Sequence, residues 1–147
     1  MKKVNIYTDG ACSKNPGPGG WAYIIKYKEH MVKKSGSEIY TTNNRMEILA
    51  VINALKALKQ SCNVKIYTDS KYVVDCINRG WLKKWQENGW MRNKKEQALN
   101  IDLWKDILKL LEKHRCEFFW VKGHSGHPEN ELCDKLAVNE YKKLLHY

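Results

Sequence analysis

Ile6-Tyr7-Thr8-Asp9-Gly10 and Ile66-Tyr67-Thr68-Asp69-Ser70 repeat four residues in the same order. Each run is rich in β-branched and aromatic residues, ends in an aspartate and passes into a turn former, the pattern of a strand and its exit. If the two strands lie side by side in one sheet, their carboxylates meet at one edge. Like charges at that distance repel, and a bound cation is what makes the arrangement tolerable. The echo is too short to be a tandem repeat, so its meaning lies in this juxtaposition.

Outward from the first run, residues 3–10 read as a strand, residues 15–20 as a Gly/Pro-rich turn, Trp21 to Tyr27 as a second strand and Met31 to Tyr40 as a third, together an antiparallel meander. Thr41-Thr42-Asn43-Asn44 offers N-caps to a helix in which Ile48, Val51, Ile52, Leu55 and Leu58 recur at helical spacing. Val64 to Thr68 is the fourth strand. Ser70 caps a short helix from Tyr72 to Ile77, and Gly80 and Gly89 interrupt a Trp- and Lys-rich segment. Trp104, Ile107, Leu108 and Leu111 mark a further helix after Asn100, Glu117 to Val121 is the fifth strand, and Pro128 opens a last helix carrying Leu132, Cys133, Leu136, Ala137, Tyr141 and Leu144. Three strands, helix, strand, helices, strand, helix imply an α/β fold: a five-stranded mixed sheet, three strands antiparallel and then two parallel, flanked by helices. Ligands of such sheets bind near strand C-termini.

A chain of 147 residues without a long linker or low-complexity tract suits one domain, 1–147. Its formal net charge of +10 favours a polyanion over an acidic small molecule as partner. No apolar run approaches the roughly 20 residues that span a bilayer, and Met1-Lys2-Lys3-Val4 enters the first strand without a signal-peptide core. Five cysteines (Cys12, Cys62, Cys76, Cys116, Cys133), odd in number and without C-x-x-C spacing, suit a reducing compartment. A cytoplasmic monomer without membrane attachment is expected.

Two further acids share the pattern of Asp9 and Asp69. Glu47 lies on the helix face of Val51, Ala54 and Leu58, and Asp134 precedes Ala137, Val138, Tyr141 and Leu145 at helical spacing, so both start on inward-looking faces. Taken singly, an aspartate before glycine is a turn residue and an acid in a first helical turn serves the helix dipole. Four such acids aimed at one place call for hard cations such as Mg²⁺, whose ligands are carboxylates and water. A pair of such ions about 4 Å apart activates water on one side of a phosphodiester and stabilises the leaving oxygen on the other.

From Arg79 to Lys95 the chain interleaves Arg79, Lys83, Lys84, Arg92, Lys94 and Lys95 with Trp81, Trp85 and Trp90, against the single acid Glu87. Basic groups supply salt-sensitive phosphate attraction, and flat aromatics pack on sugars or bases without demanding a sequence. A small satellite core is the alternative for Trp85 and Trp90; Trp81 is the preferred substrate contact.

With Tyr7-Thr8-Asp9-Gly10, Asn15-Pro16-Gly17-Pro18-Gly19-Gly20-Trp21, Thr41 to Glu47, Tyr67-Thr68-Asp69-Ser70 and Trp120 to Glu131 in order along nearly its whole length, the chain closely resembles the bacterial-type ribonuclease H family, type 1. The resemblance implies an RNase H-like fold with a basic helical protrusion at about residues 79–97. It implies a metal-dependent endonuclease that hydrolyses the RNA strand of RNA/DNA hybrids and leaves 5′-phosphate and 3′-hydroxyl ends. Asp9, Glu47, Asp69 and Asp134 are the implied ligands of two Mg²⁺ ions, with Mn²⁺ a possible substitute. His124 matches a loop histidine that moves a proton or assists product departure, and its place between Gly123 and Gly126 suits that role; a solvated imidazole, or a zinc site of His124, His127 and Cys133, are the rival readings. Asn43 and Asn44, the backbone around Cys12 and the Asn15 side chain match contacts to RNA 2′-hydroxyls, with helix capping the alternative for the asparagines. Thr42 and Asn100 match a pocket for a phosphate of the DNA strand. Lys83, Lys84, Lys94, Lys95, Trp81 and Trp85 fall in the protrusion, on which hybrid binding is expected to rest, since no separate hybrid-binding domain precedes the first strand.

Two positions depart from the pattern. Tyr40 stands where many relatives carry arginine, which exchanges a bidentate charged grip for one hydroxyl. Lys71 replaces a usually uncharged residue and adds either a phosphate contact or a solvated cation. A hybrid-binding module without activity would be free to lose the acids, yet all four remain. A DNA-cutting or DNA-joining relative of the same fold is disfavoured by the Asn43-Asn44 pair and the protrusion.

Overall fold

The computed structural model describes residues 1–123 and 126–145. Strands β1 (Lys2–Cys12), β2 (Gly17–Tyr27), β3 (His30–Thr41), β4 (Cys62–Thr68) and β5 (Arg115–Trp120) form one sheet in the order β3-β2-β1-β4-β5. β2 is antiparallel to β1 and β3, while β4 is parallel to β1 and β5. The parallel register pairs Tyr7 with Tyr67 and Thr8 with Thr68. The repeated run therefore does lie side by side; Asp69 follows the last residue of β4, whereas Asp9, next to the Thr8–Thr68 pair, is still within β1 opposite Ala22, and β1 continues to Cys12 rather than turning at Gly10. The tyrosine rings of the two runs stack at 5.2 Å, and Phe119 of β5 continues the ladder at 5.3 Å.

The helices are α1 (Asn43–Lys56), α2 (Lys71–Asn78), α3 (Trp81–Glu87), α4 (Ile101–Lys113) and α5 (Pro128–Leu144). Alternation along the strands sends Ile6, Tyr23, Val64, Ile66 and Phe118 into the main core, where Ile48, Val51, Ile52 and Leu55 of α1 and Trp104 and Ile107 of α4 meet them. The opposite face buries Ala22 and Ile24 under Cys133 and Ala137 of α5. Lys26–Glu129 (2.6 Å) and Ser35–Glu140 (2.9 Å) tie α5 across β2 and β3. No helix among the described residues is long and apolar enough to cross a membrane.

The main departure from expectation lies at residues 17–20, where a turn is expected and the chain is already in β2. Glycine is a poor strand former, but here it admits close neighbours. A Cβ on Gly20 would stand 2.0 Å from the Ala137 carbonyl oxygen of α5, and one on Gly19 would stand 2.6 Å from Thr41 Cγ2. On β1, a Cβ on Gly10 would stand 2.4 Å from the Glu47 backbone nitrogen of α1. The backbones of α1 and α5 thus approach the sheet from opposite faces at points where only glycine leaves room. The last helix also differs: its buried residues are Cys133 and Ala137, while Asp134, Val138 and Tyr141 are half-buried at the edge and Leu145 is exposed.

Gly20→Ala is expected to push α5 off the sheet, costing about 1–3 kcal/mol as overpacking of a close contact does. Thermal denaturation of the full chain checks it; an unchanged Tm would contradict the packing described.

Candidate active site

Asp9 and Glu47 are each only 4% exposed. The Gly10 N–H donates to Asp9 Oδ1 at 2.8 Å and also to Glu47 Oε1, so one backbone amide links the two carboxylates. Thr42 Oγ1 accepts from the Arg45 N–H at 3.3 Å and caps α1, whose second turn then carries Glu47 inward. Past β4 the chain turns at Asp69 because the Ser70 N–H donates to Thr68 Oγ1 (3.0 Å) and Ser70 Oγ caps α2 through the Val73 N–H (3.2 Å). Trp120 Nε1 donates to the Asp69 carbonyl at 3.1 Å. Asn130 donates to the Tyr67 carbonyl (3.0 Å) and the Cys133 thiol to the Tyr7 carbonyl (3.4 Å), which fastens the start of α5 to both aspartate-bearing strands.

Carboxylate oxygens of Asp9, Glu47 and Asp69 all lie within 4.8 Å of one another. Asp134 stands outside this tight trio but lines the same cavity of about 430 Å³. Burial, with Asp69 and Asp134 nearby, pushes the Asp9 carboxyl up to about 8, against the relief of its hydrogen bonds to Glu47 and Gly10. Burial and the charges of Asp9 and Asp69 hold Glu47 well above the usual carboxylate range. Without a cation the cluster resists ionising fully. Carboxylate oxygens at this spacing form a donor set for a hard divalent ion.

The cavity also takes in Cys12, Asn43, Asn44 and Lys71. The side chains of Asn43 and Asn44 are exposed and do not cap α1; Thr42 does, and Asn15 Oδ1 instead accepts from the Asn43 N–H at 3.2 Å. Lys71 holds its ammonium 5.9 Å over the Trp120 ring. Tyr40 is 76% exposed at the end of β3. Asn100, in the left-handed region at φ 63°, is held by Arg45. In the protrusion, Arg79 pairs with Asp75 and Arg92 with Glu96, whereas no ion pair engages Lys83, Lys84, Lys94 or Lys95 among the described residues. Trp85 and Trp90 pack against the main core, and Trp81 is 39% exposed under the Arg79 guanidinium. Trp85 also joins Trp81 and Lys84 in the wall of a surface groove. His124 lies outside the described residues. Cys133 is buried, with burial pushing its thiol up, while His127 is exposed at the start of α5, which gives the zinc reading no support.

Two residues that the sequence pattern does not single out join the site. Arg45 makes a double contact with Asp102 at 2.7 and 3.0 Å, and the Tyr72 hydroxyl accepts from Asn100 and from Trp104. The only local hint is position: Arg45 follows Asn44, and Tyr72 comes three residues after Asp69.

A mixed sheet that presents clustered carboxylates at paired strand ends, flanked by a cationic protrusion, defines a metal-dependent nuclease of the α/β class. Residues 1–142 match the RNase H family, and the chain belongs to it. The family cleaves RNA in RNA/DNA hybrids and depends on divalent metal. The chain is 59% identical over 143 residues to the ribonuclease H of Desulforamulus reducens, covering 97% of this chain and 90% of that one. Among solved structures, it resembles LC9-RNase H1, a type 1 RNase H with the type 2 active-site motif, at TM-score 0.85 and 32% identity, covering 97% of this chain and 74% of the other. It also resembles part of the foamy viral protease-reverse transcriptase solved in complex with an RNA/DNA hybrid, at TM-score 0.80 and 28% identity, covering 97% of this chain and 20% of that one.

The raised carboxyls set a pH dependence. Below the ordinary carboxylate range both the folded and unfolded states are protonated at Asp9; as pH rises toward about 8 only the unfolded chain releases the proton freely, so stability falls. His114, whose Nδ1 accepts from the Cys62 N–H and which burial keeps neutral, works the other way and loses stability only on acidification. Between about pH 6.5 and 8, the metal-free protein should therefore lose Tm as pH rises. Asp9→Asn or Asp69→Asn should raise the metal-free Tm at pH 8, by about 3 °C per kcal/mol of relieved repulsion in a chain of this size. Thermal scans with chelator check this, and lowered Tm in both variants would reject it.

Proposed function

We propose that this chain hydrolyses the RNA strand of RNA/DNA hybrids endonucleolytically with Mg²⁺, using Asp9, Glu47, Asp69 and Asp134 as the ligand set. The observation that carries the reading is the trio of carboxylates within 4.8 Å, set in one cavity with Asp134 and the exposed Asn43-Asn44 pair. Asp9, Glu47, Asp69 and Asp134 would hold two Mg²⁺ ions, or Mn²⁺ in their place, and the ions would supply Lewis-acid activation of water and stabilisation of the 3′-oxygen leaving group, giving 5′-phosphate and 3′-hydroxyl products.

The chain's own residues do the selecting. Only the RNA strand offers a 2′-hydroxyl that both donates and accepts. Asn43 and Asn44, with both donor and acceptor atoms, sit beside the carboxylates with the Cys12 backbone to read it, and Asn15 steadies the Asn43 backbone. Thr42 and Asn100 take a phosphate of the DNA strand, with Arg45 fixing Asn100. Lys83, Lys84, Lys94 and Lys95, engaged in no ion pair among the described residues, provide positive charge along the protrusion, which draws the duplex by its phosphates, and Lys84 shares a groove with Trp81 and Trp85. Trp120 tethers the Lys71 ammonium at the cavity rim, where it meets a phosphate. His124 assists proton movement or product release.

Incubating labelled RNA/DNA hybrid, double-stranded RNA and double-stranded DNA with Mg²⁺ or with chelator tests this. Cleavage confined to the hybrid's RNA strand and abolished by chelator is expected; a hybrid that survives while duplex DNA is nicked sinks the assignment. Alanine at Lys83, Lys84, Lys94 and Lys95 together should raise KM with little change in kcat, and lower the slope of log KM against log salt by up to roughly 3. An unchanged slope removes the protrusion from the substrate path.

A further inference from the structure

One face of the sheet is only partly covered by helix. α5 packs on β1, β2 and β3, while α1 and α4 close the core on the other side, so β4 and β5 keep an open outer face. The parallel register lays three rows of side chains across it. The lowest joins Lys3, Asn63 and Arg115, and the next joins Asn5, Lys65 and Glu117. The third is the aromatic ladder of Tyr7, Tyr67 and Phe119. The two polar rows line a cavity of about 510 Å³.

Lys3, Lys65 and Arg115 are exposed there against the single carboxylate of Glu117, and no ion pair engages the three cations among the described residues. That balance favours an anion. Asn63 Oδ1 is buried without a hydrogen-bond partner, an acceptor that an N–H of a ligand would satisfy. The ladder supplies a flat surface beside the charge. Tyr67 is sandwiched between its neighbours, but β5 is the edge strand, so the stack ends on Phe119, which is 37% exposed. A ring stack with an open end is extended by another flat π system. Arg115 and Phe119 lie four residues apart, roughly 13 Å along a strand, a spacing that suits a chain of repeated phosphates. Anionic groups repeated beside flat rings are the chemistry of a nucleic acid strand, and stacking requires its bases to be unpaired.

We propose that the outer face of β1, β4 and β5 binds an unpaired DNA strand, with a base stacked on Phe119 and backbone phosphates on Lys3, Lys65 and Arg115. The choice of DNA rests on the proposed hydrolysis, which removes RNA and leaves its DNA complement single-stranded. Tyr7 and Tyr67 come two residues before Asp9 and Asp69, roughly 7 Å along a strand, so the face begins beside the carboxylates. It shares no residue with the protrusion and adds a second hold, on a DNA segment that has lost its RNA or that flanks a hybrid.

The test follows the fluorescence anisotropy of a labelled oligothymidylate with the full chain in chelator, while excess unlabelled blunt hybrid fills the carboxylate cavity and the protrusion. The oligonucleotide should bind despite the hybrid. Phe119→Leu should weaken it about tenfold, within the range of one base stacked on an aromatic ring. Lys65→Gln with Arg115→Gln should lower the slope of log Kd against log salt by about 1.4, the share of two single-strand phosphates. Neither variant should change KM for blunt hybrid by more than about twofold. Displacement by the blunt hybrid, or an affinity and slope that both variants leave unchanged, overturns the inference. So does an oligoglutamate or ATP that binds as tightly as the oligonucleotide and is lost in the same variants, since the face would then serve an acidic peptide or a mononucleotide. If the variants do not fold, photocross-linking of the wild type to an oligonucleotide carrying 5-iodouracil serves instead. An adduct on Phe119 or Tyr67 is expected by mass spectrometry, and adducts confined to the protrusion or the carboxylate cavity reject the site. Binding without any hybrid cleavage would count against the substrate reading alone, whereas cleavage without this binding removes only the outer-face site.

Discussion

Repulsion among buried carboxylates is the constraint around which this molecule is arranged. Asp9, Glu47 and Asp69 come from β1, α1 and the end of β4, with oxygens within 4.8 Å of one another, and left to themselves they would separate or stay protonated. The fold prevents separation through backbone. The parallel pairing of Thr8 with Thr68 fixes two of the acids at one edge. The missing side chain of Gly10 lets α1 close on β1, and the Gly10 amide bridges the carboxylates of Asp9 and Glu47. The Asn130 and Cys133 bonds to the carbonyls of Tyr67 and Tyr7 bring the start of α5, and with it Asp134, to the same cavity. What remains is an electrostatic tension that protons relieve in the metal-free protein and that divalent ions relieve in the proposed mechanism.

The features legible in the sequence are those where local pattern and tertiary demand agree. The repeated run was readable because a period-two pattern ending in aspartate means the same thing twice, and because parallel neighbours place equal positions at equal heights. Glu47 was readable because an acid on an apolar helical stripe has nowhere else to point. The start of β2 was not readable, because glycine and proline signal a turn by their own preferences and only the Ala137 carbonyl of α5, more than a hundred residues away, explains why Gly20 is strand. Likewise the choice of Thr42 over Asn43 as cap depends on Asn15 reaching the Asn43 amide. The edge position of Asp134 reflects how α5 rolls on small residues, Ala22 against Ala137, which periodicity alone does not fix.

Charge shows the same division. A count of basic residues in the protrusion overstates its free charge, because Arg79 and Arg92 are engaged by Asp75 and Glu96, both of which fall outside the basic run. What remains are exposed lysines and one partly exposed tryptophan, Trp81. Such a surface attracts a polyanion over a distance without dictating how it lies. The cavity is the reverse: acidic, and lined by the short amides Asn43 and Asn44, the first with its backbone N–H held by Asn15. In the proposed function, attraction and orientation thus fall to different parts of the chain.

That separation explains why a strongly basic protein keeps a cluster of acids at its working edge. A cation placed among the carboxylates would relieve their repulsion permanently and leave less reason for a divalent ion to bind; a lysine of the cavity wall, Lys71, is instead held over the Trp120 ring at 5.9 Å. The same Trp120 fixes the Asp69 carbonyl through its indole N–H, so one side chain both steadies a member of the cluster and holds the neighbouring ammonium at the rim. In the proposed function, neutral donors such as Asn43 and Asn44 complete the surroundings because they bind oxygen without altering the charge that the acids present. In the proposed function, specific hydrogen bonding beside the carboxylates and unspecific positive charge on the protrusion are therefore two consequences of a single requirement, that the chain's own cations leave the repulsion of the cluster unrelieved.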